Sequence, residues 1–215
     1  MNNIVMNNGS EEVVILNHET EEVHFCGFIR SDRELTGQMR DIANDLLKTL
    51  LESWIRKYNS MSETDISAEF RYSALMPAIM KALKLVDAGV VDRFRENMTI
   101  TAVCCFPGKK KAFWVNTGND NVYLWTGRTL KRLTSSDKFY KTTTEQNIFN
   151  AKSDYVQLVE GRCEKAPRCF YIVSSDAVGF FEDYKEQGKK ITPKVFDAFS
   201  YRERRPMIIG QVFSK

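Results

Sequence analysis

No run of apolar residues in this sequence approaches the roughly 20 that a membrane-spanning helix requires. The longest, AVCCF and MIIGQVF, are the length of a strand. The opening stretch, MNNIVMNNGSEEVV, has neither a basic segment nor a long apolar core, so no secretory signal is expected. Histidine is scarce: His18 and His24 are too few and too scattered to read as a Ser-His or Cys-His catalytic pair. The five cysteines are an odd number without paired or ligand spacing, which argues against a disulfide framework and against a zinc site. Cys104 and Cys105, adjacent in an extended segment, would face opposite sides of a strand, and reduced thiols in a cytoplasmic protein are the expectation. There is no G-x-G-x-x-G or Walker-type loop to cradle phosphates, no internal repeat and no low-complexity tract. Charge of one sign is also missing: 31 basic and 28 acidic residues leave a net charge of +3, without the concentrated basic face of a nucleic-acid binder. These absences point to a cytoplasmic protein that engages neither membrane nor nucleic acid.

What is present is an ordinary globular composition, 43% hydrophobic and 27% charged. At 215 residues the chain suffices for one domain spanning 1–215 with a substantial core. Branched and aromatic residues between polar turns predict short strands at 2–6, 11–16 and 22–29. From Gln38 the period lengthens. Ile42, Leu46, Leu47, Leu50, Leu51, Trp54 and Ile55 recur every three or four positions, one apolar stripe of a helix. A second stripe runs from Phe70 to Val86, with Pro77 inside it to kink or restart the helix. The period then returns to two in TITAVCCF, KAFWVN and NVYLW, joined by the turn sequences PGKK and TGND. RTLKRLT, YVQLVEG and RCFYIVSS read as further strands. ITPKVFDAF reads as a helix with Thr192 as N-cap and Pro193 in its first turn, and MIIGQVF closes the chain as a strand. Strands, helices, strands, a short helix and a last strand form a segregated α+β order, enough for two packed antiparallel sheets with helices on their outer faces.

In their order along the chain these segments resemble the metal-dependent type 2C protein serine/threonine phosphatases. That family's Thr-Thr-Ala strand, hairpin, Gly-Asp-Ser-Arg turn and Leu-Thr-x-Asp-His motif are echoed by TITAVCCF, KKKAFWVNTGNDNVYLW and LKRLTSSDKF. Its Ser-Asp-Gly motif corresponds to FYIVSSDAV and its closing strand to RRPMIIGQVF. The resemblance covers nearly the whole chain. It implies a four-layer α/β/β/α sandwich around two central antiparallel sheets. In the family, two Mn²⁺ or Mg²⁺ ions held by carboxylates activate a water for attack on a phosphoester.

Residue by residue, the resemblance places the Ser-Asp-Gly aspartate at Asp176, followed by Ala177 instead of glycine. The early Asp-Gly-x-Gly-Gly segment falls at CGFIRSDREL, where Arg30 or Ser31 occupies the aspartate position and Asp32 follows. In the turn, Asn119 stands for the aspartate and Asp120 for the serine. The last Asp-Asn pair falls near Glu203–Pro206, without an aspartate, and NHETEE supplies only Asn17, Glu19, Glu21 and Glu22 for the family's first acidic motif. Asp176, Asp32 and Asp120 are therefore the candidate metal ligands. Each has a plainer reading as well: Asp176 as a helix N-cap, Asp32 as a helix-start residue, Asp120 as a turn residue. The lysines at 109–111 read as a solvated hairpin tip or a contact for phosphate or an acidic partner, and Phe113, Trp114, Tyr123 and Trp125 as core. The leading functional expectation is a pseudophosphatase that binds a protein partner or phosphoprotein and needs no cofactor. The alternative is a divergent but active serine/threonine phosphatase using Mn or Mg, and an unrelated interaction module is the third.

Overall fold

The computed structural model of the chain describes residues 2–8, 11–31, 34–35, 37–60, 98–109, 111–116, 120–134, 157–162 and 169–214. Within them β1 (Ile4–Asn7), β2 (Val13–Glu19) and β3 (His24–Ser31) precede a long helix, α1 (Gly37–Ser60). Then come β4 (Met98–Phe106), β5 (Lys111–Asn116), β6 (Asn121–Trp125), β7 (Leu130–Arg132), β8 (Gln157–Arg162) and β9 (Cys169–Val173). Two helices, α2 (Val178–Glu186) and α3 (Pro193–Glu203), lead to β10 (Ile208–Phe213).

The strands form two five-stranded sheets, one in the order β1-β10-β9-β6-β7 and the other β2-β3-β4-β5-β8. Every pairing is antiparallel. Period-two alternation sorts the side chains of each strand between two faces. Cys104 packs with the helix-facing cluster and Cys105 with the inter-sheet cluster, as their adjacency on β4 requires. Three apolar layers result. On the outer face of the second sheet, α1 buries Ile42, Leu46, Leu47, Leu50 and Trp54 against Phe25, Ile29 and Ile100. Between the sheets lie Cys26, Phe28, Val103, Trp114, Phe170, Ile172 and Ile208. On the outer face of the first sheet, Tyr123 and Tyr171 pack under Phe180, Phe181 and Phe196 of α2 and α3. The layers are therefore α/β/β/α, as the segregated order of elements predicts.

Close approach explains two glycines. A Cβ at Gly210 would lie 2.6 Å from Ile172 Cγ1 and 3.0 Å from Cys26 Sγ, in the tightest part of the inter-sheet layer. One at Gly27 would lie 2.9 Å from Ala102 Cβ and 3.0 Å from Leu47 Cδ2, under α1.

The first three strands begin about two residues later than the alternation predicts. Residues 11–12 form a turn, and Thr20 N donates to Val23 O to close the next one, so those polar residues serve as turns. RTLKRLT contributes only the three residues of β7. Thr192 occupies the N-cap position of α3 with extended backbone and Pro193 follows it, but the Thr192 hydroxyl makes no capping bond. The second helical stripe, 70–86, lies outside the described residues.

Candidate functional site

The C-terminal end of β3, the N-terminal end of β6 and the segment after β9 meet at one end of the sandwich. Register brings them there: Ser31 pairs with Met98 on β4, and Asn121 pairs with Val173 on β9. Asp120 precedes β6 and Asp176 lies in the 3-10 turn Ser175–Ala177 after β9, so both carboxylates approach from the first sheet. Arg30 reaches across to them from the second. Its Nη1 donates to Asp120 Oδ1 at 3.1 Å and to Ser175 Oγ at 3.0 Å, and its Nη2 donates to Asp176 Oδ2 at 2.6 Å. Asp120 Oδ1 also accepts the Ser175 backbone N–H at 2.9 Å, and Asn116 Nδ2 fixes the Asp120 carbonyl at 2.7 Å. On the rim, Arg205 Nη1 stands 4.0 Å from Asp176 Oδ1.

Asp120 is 3% exposed and Arg30 18%, so these are desolvated charges. Burial pushes the Asp120 carboxyl above its ordinary range, outweighing the pull of the Arg30 charge and of the Ser175 N–H. Burial works the other way on Arg30, yet the charges of Asp120 and Asp176 outweigh it and the guanidinium titrates above its ordinary value. Arg30 is thus a permanent cation inside a nest of oxygen acceptors, held by charge-assisted hydrogen bonds, the stronger kind.

A pair of hard dications needs several oxygen ligands free to coordinate. Both carboxylates here are already engaged by the guanidinium. No group of three or more His, Cys, Asp or Glu side chains suited to a metal occurs among the described residues. The described side chains do not fit a two-metal centre.

Among solved structures the chain is similar to a C. elegans sex determining protein, with a TM-score of 0.65 at 10% identity, over 100% of this chain. It spans 65% of that protein's length. A bacterial serine phosphatase aligns with a TM-score of 0.61 at 10% identity, covering 100% of this chain and 98% of the other. The catalytic domain of the serine threonine protein phosphatase PstP, solved with two manganese ions, aligns with a TM-score of 0.54 at 10% identity over 98% and 96% of the two chains. The fold is that of the type 2C phosphatases. No family model and no curated protein matches the sequence.

On this phosphatase fold, the predicted site residues separate. Asp120 and Asp176 converge on one guanidinium, while Asp32 lies outside the described residues. Asp176 is not an N-cap: Ser174 holds that position for the 3-10 turn and Ala177 for α2, and neither makes a side-chain capping bond. Asp120, read as a turn residue, follows residues 117–119, which lie outside the described residues, and is buried with its carboxylate bonded to the segment after β9. Glu19 pairs with His24 at the opposite end of β3, and Glu21 and Glu22 follow it there as exposed residues, so none of the three belongs to this cluster. Lys110 and the side chains of Lys109 and Lys111 lie outside the described residues. In the sequence Arg30 reads only as an occupant of an aspartate position, and its part as the organising cation emerges from the fold. A basic residue in a slot that a metal would need acidic was the available signal. Among the described residues no helix is long and apolar enough to cross a membrane.

Proposed function

We propose that this chain is a pseudophosphatase, a type 2C phosphatase fold that acts by binding a protein partner. The observation that carries the reading is Arg30 between Asp120 and Asp176. An arginine offers only donors and stays protonated, so it can neutralise two carboxylates but can neither ligate a metal ion nor accept a proton from a metal-bound water. With the guanidinium in place, the two aspartates serve an ion cluster that joins the sheets.

The rim of the same cluster supports a partner of acidic or phosphorylated character. Tyr201 is 84% exposed near the end of α3, and the residues that follow it, Arg202, Glu203, Arg204 and Arg205, are exposed as well, three of the four basic. An exposed aromatic among guanidinium groups suits contact with a phosphoprotein, since arginine binds phosphate bidentately and Tyr and Arg dominate binding hot spots.

The deciding experiment measures hydrolysis of an aryl phosphate and a phosphoserine peptide in millimolar Mn²⁺, together with melting temperature with and without the ion. The expected result is no chelator-sensitive turnover and no thermal shift, because only a ligand of the native state raises its stability. Arg30→Asp, which sets a third carboxylate beside Asp120 and Asp176, is expected to gain a Mn²⁺-dependent rise in melting temperature. Turnover that needs Mn²⁺ and disappears in Asp176→Asn would replace this reading with the divergent enzyme. That second reading rests on the convergence of Asp120 and Asp176, and it requires Mn²⁺ to displace Arg30.

A further inference from the structure

Far from the Arg30 cluster, at the other end of β9 and on the outer face of its sheet, the fold leaves a cavity of about 710 Å³. That volume falls within the range of roughly 300–1,000 Å³ typical of small-molecule sites. Its floor follows from strand register. Cys169 pairs with Phe213 and with Trp125, and Tyr171 pairs with Gln211, so these side chains share one face. The end of α2 and the chain leading into α3 wall it, contributing Lys185 and Lys190.

The charge in this cavity is of one sign. No Asp or Glu lines it, and among the described residues neither lysine forms an ion pair. Lys185 is fixed in place: its Nζ donates to Tyr171 Oη at 2.6 Å and lies 5.4 Å from the centre of the Trp125 ring. Gln211 Nε2 donates to the same phenol oxygen at 2.8 Å, so that oxygen is saturated and Lys185 keeps donors to spare. Burial holds the Lys185 ammonium below its ordinary pKa, against an upward pull from Cys169 and with a smaller downward push from the charge of Lys190. A half-buried cation with a second cation near it is a situation that an anion relieves.

We infer that the cavity binds a small aromatic carboxylate, its ring against Trp125 and Phe213 and its carboxylate on Lys185 and Lys190. The aromatic side chains of the floor favour an aromatic body, and the two ammonium groups at one wall set the position of the negative end. This site is separate from the ion cluster, so its fate does not depend on whether the chain hydrolyses phosphoesters.

The test is titration of the full chain with 2-naphthoate and with the uncharged 2-naphthalenemethanol, followed by calorimetry and tryptophan fluorescence. The expected result is saturable one-to-one binding of the carboxylate, at least tenfold tighter than the alcohol. Lys185→Met and, independently, the exposed Lys190→Met should each weaken it severalfold. Trp125→Phe should remove most of the fluorescence change. Circular dichroism of each variant establishes that it is folded, and Lys190→Met supplies the answer if Lys185→Met is not. Three results would each overturn the inference: no saturable binding at millimolar naphthoate, equal affinity for the alcohol, or undiminished binding in a folded lysine variant.

Discussion

Arg30 occupies the penultimate position of β3, where alternation puts it on the inter-sheet face with Cys26 and Phe28, and its length is what lets it serve both carboxylates. Truncating one partner of a buried ion pair costs more than the pair contributes, because the other charge is left uncompensated. Arg30→Met keeps the aliphatic stem, so it isolates that electrostatic effect, and a loss of about 3–5 kcal/mol at neutral pH is expected. The sign of the pH dependence follows from Asp120, whose carboxyl titrates above its ordinary range in the native protein. Without Arg30 it would titrate higher still, so the folded state binds more protons than the unfolded chain between the two pKa values. Stability contributed by that group therefore falls as pH rises through the window and returns as pH drops. The deficit of Arg30→Met against the wild type, measured by urea unfolding from about pH 7 down to about pH 4.5, should shrink steadily. A deficit unchanged across that range would show that Asp120 is not the group left unpaired.

Single elements account for most of what the sequence disclosed. The stripe from Ile42 to Trp54 is the buried face of α1, because a helix of that length must hide its apolar side and only one sheet face is offered to it. Phe113, Trp114 and Tyr123 fall in three different layers, and alternation predicts that they are core without saying which layer. The ion cluster was not legible in this way. Arg30 is 90 residues from Asp120 and 146 from Asp176, and only the pairing of whole strands brings them together. Gly210 was equally silent, since its reason is a neighbour on β9 and another across the sandwich. There Gly210→Ala sets a methyl group 2.6 Å from Ile172 Cγ1, where Ile172 is fully buried and has little room to yield. Overpacking of this kind costs typically about 1–3 kcal/mol. Ile172→Ala in the same chain removes both crowding atoms, Cγ1 and Cδ1, so the double variant should be more stable than the sum of the two single losses, as read by chemical denaturation. Strict additivity would mean that the contact does not limit the approach of β10 to β9.

At the scale of the molecule, two sheets with an apolar filling are tied together by polar groups at both ends. One tie is the Arg30 cluster. The other lies at the start of β1 and β3, where Asn3 Nδ2 donates to Phe25 O at 3.3 Å and to Asn17 Oδ1 at 3.2 Å, while Phe213 N donates to Asn3 Oδ1 at 3.3 Å. Beside it His24 Nδ1 is 2.6 Å from Phe213 O, again across the sheets. Phe25 and Arg30 are five positions apart along β3, about 16 Å at the usual rise, so the two ties share no partner and should contribute independently. Asn3→Leu orphans buried backbone groups and is expected to cost about 1–3 kcal/mol, and Ser175→Ala, which removes one acceptor of Arg30, about 0.5–1.5 kcal/mol. Combined, these two losses should add within about 0.5 kcal/mol, because distant sites without shared partners do not couple. Ser175→Ala combined with Arg30→Met should instead fall short of the sum, since Ser175 Oγ has nothing left to lose once the guanidinium is gone. Two double-mutant cycles by urea denaturation check this. Coupling of more than about 1 kcal/mol between Asn3 and Ser175 would mean that the sandwich transmits strain along its length and that its two ends are not separate fastenings.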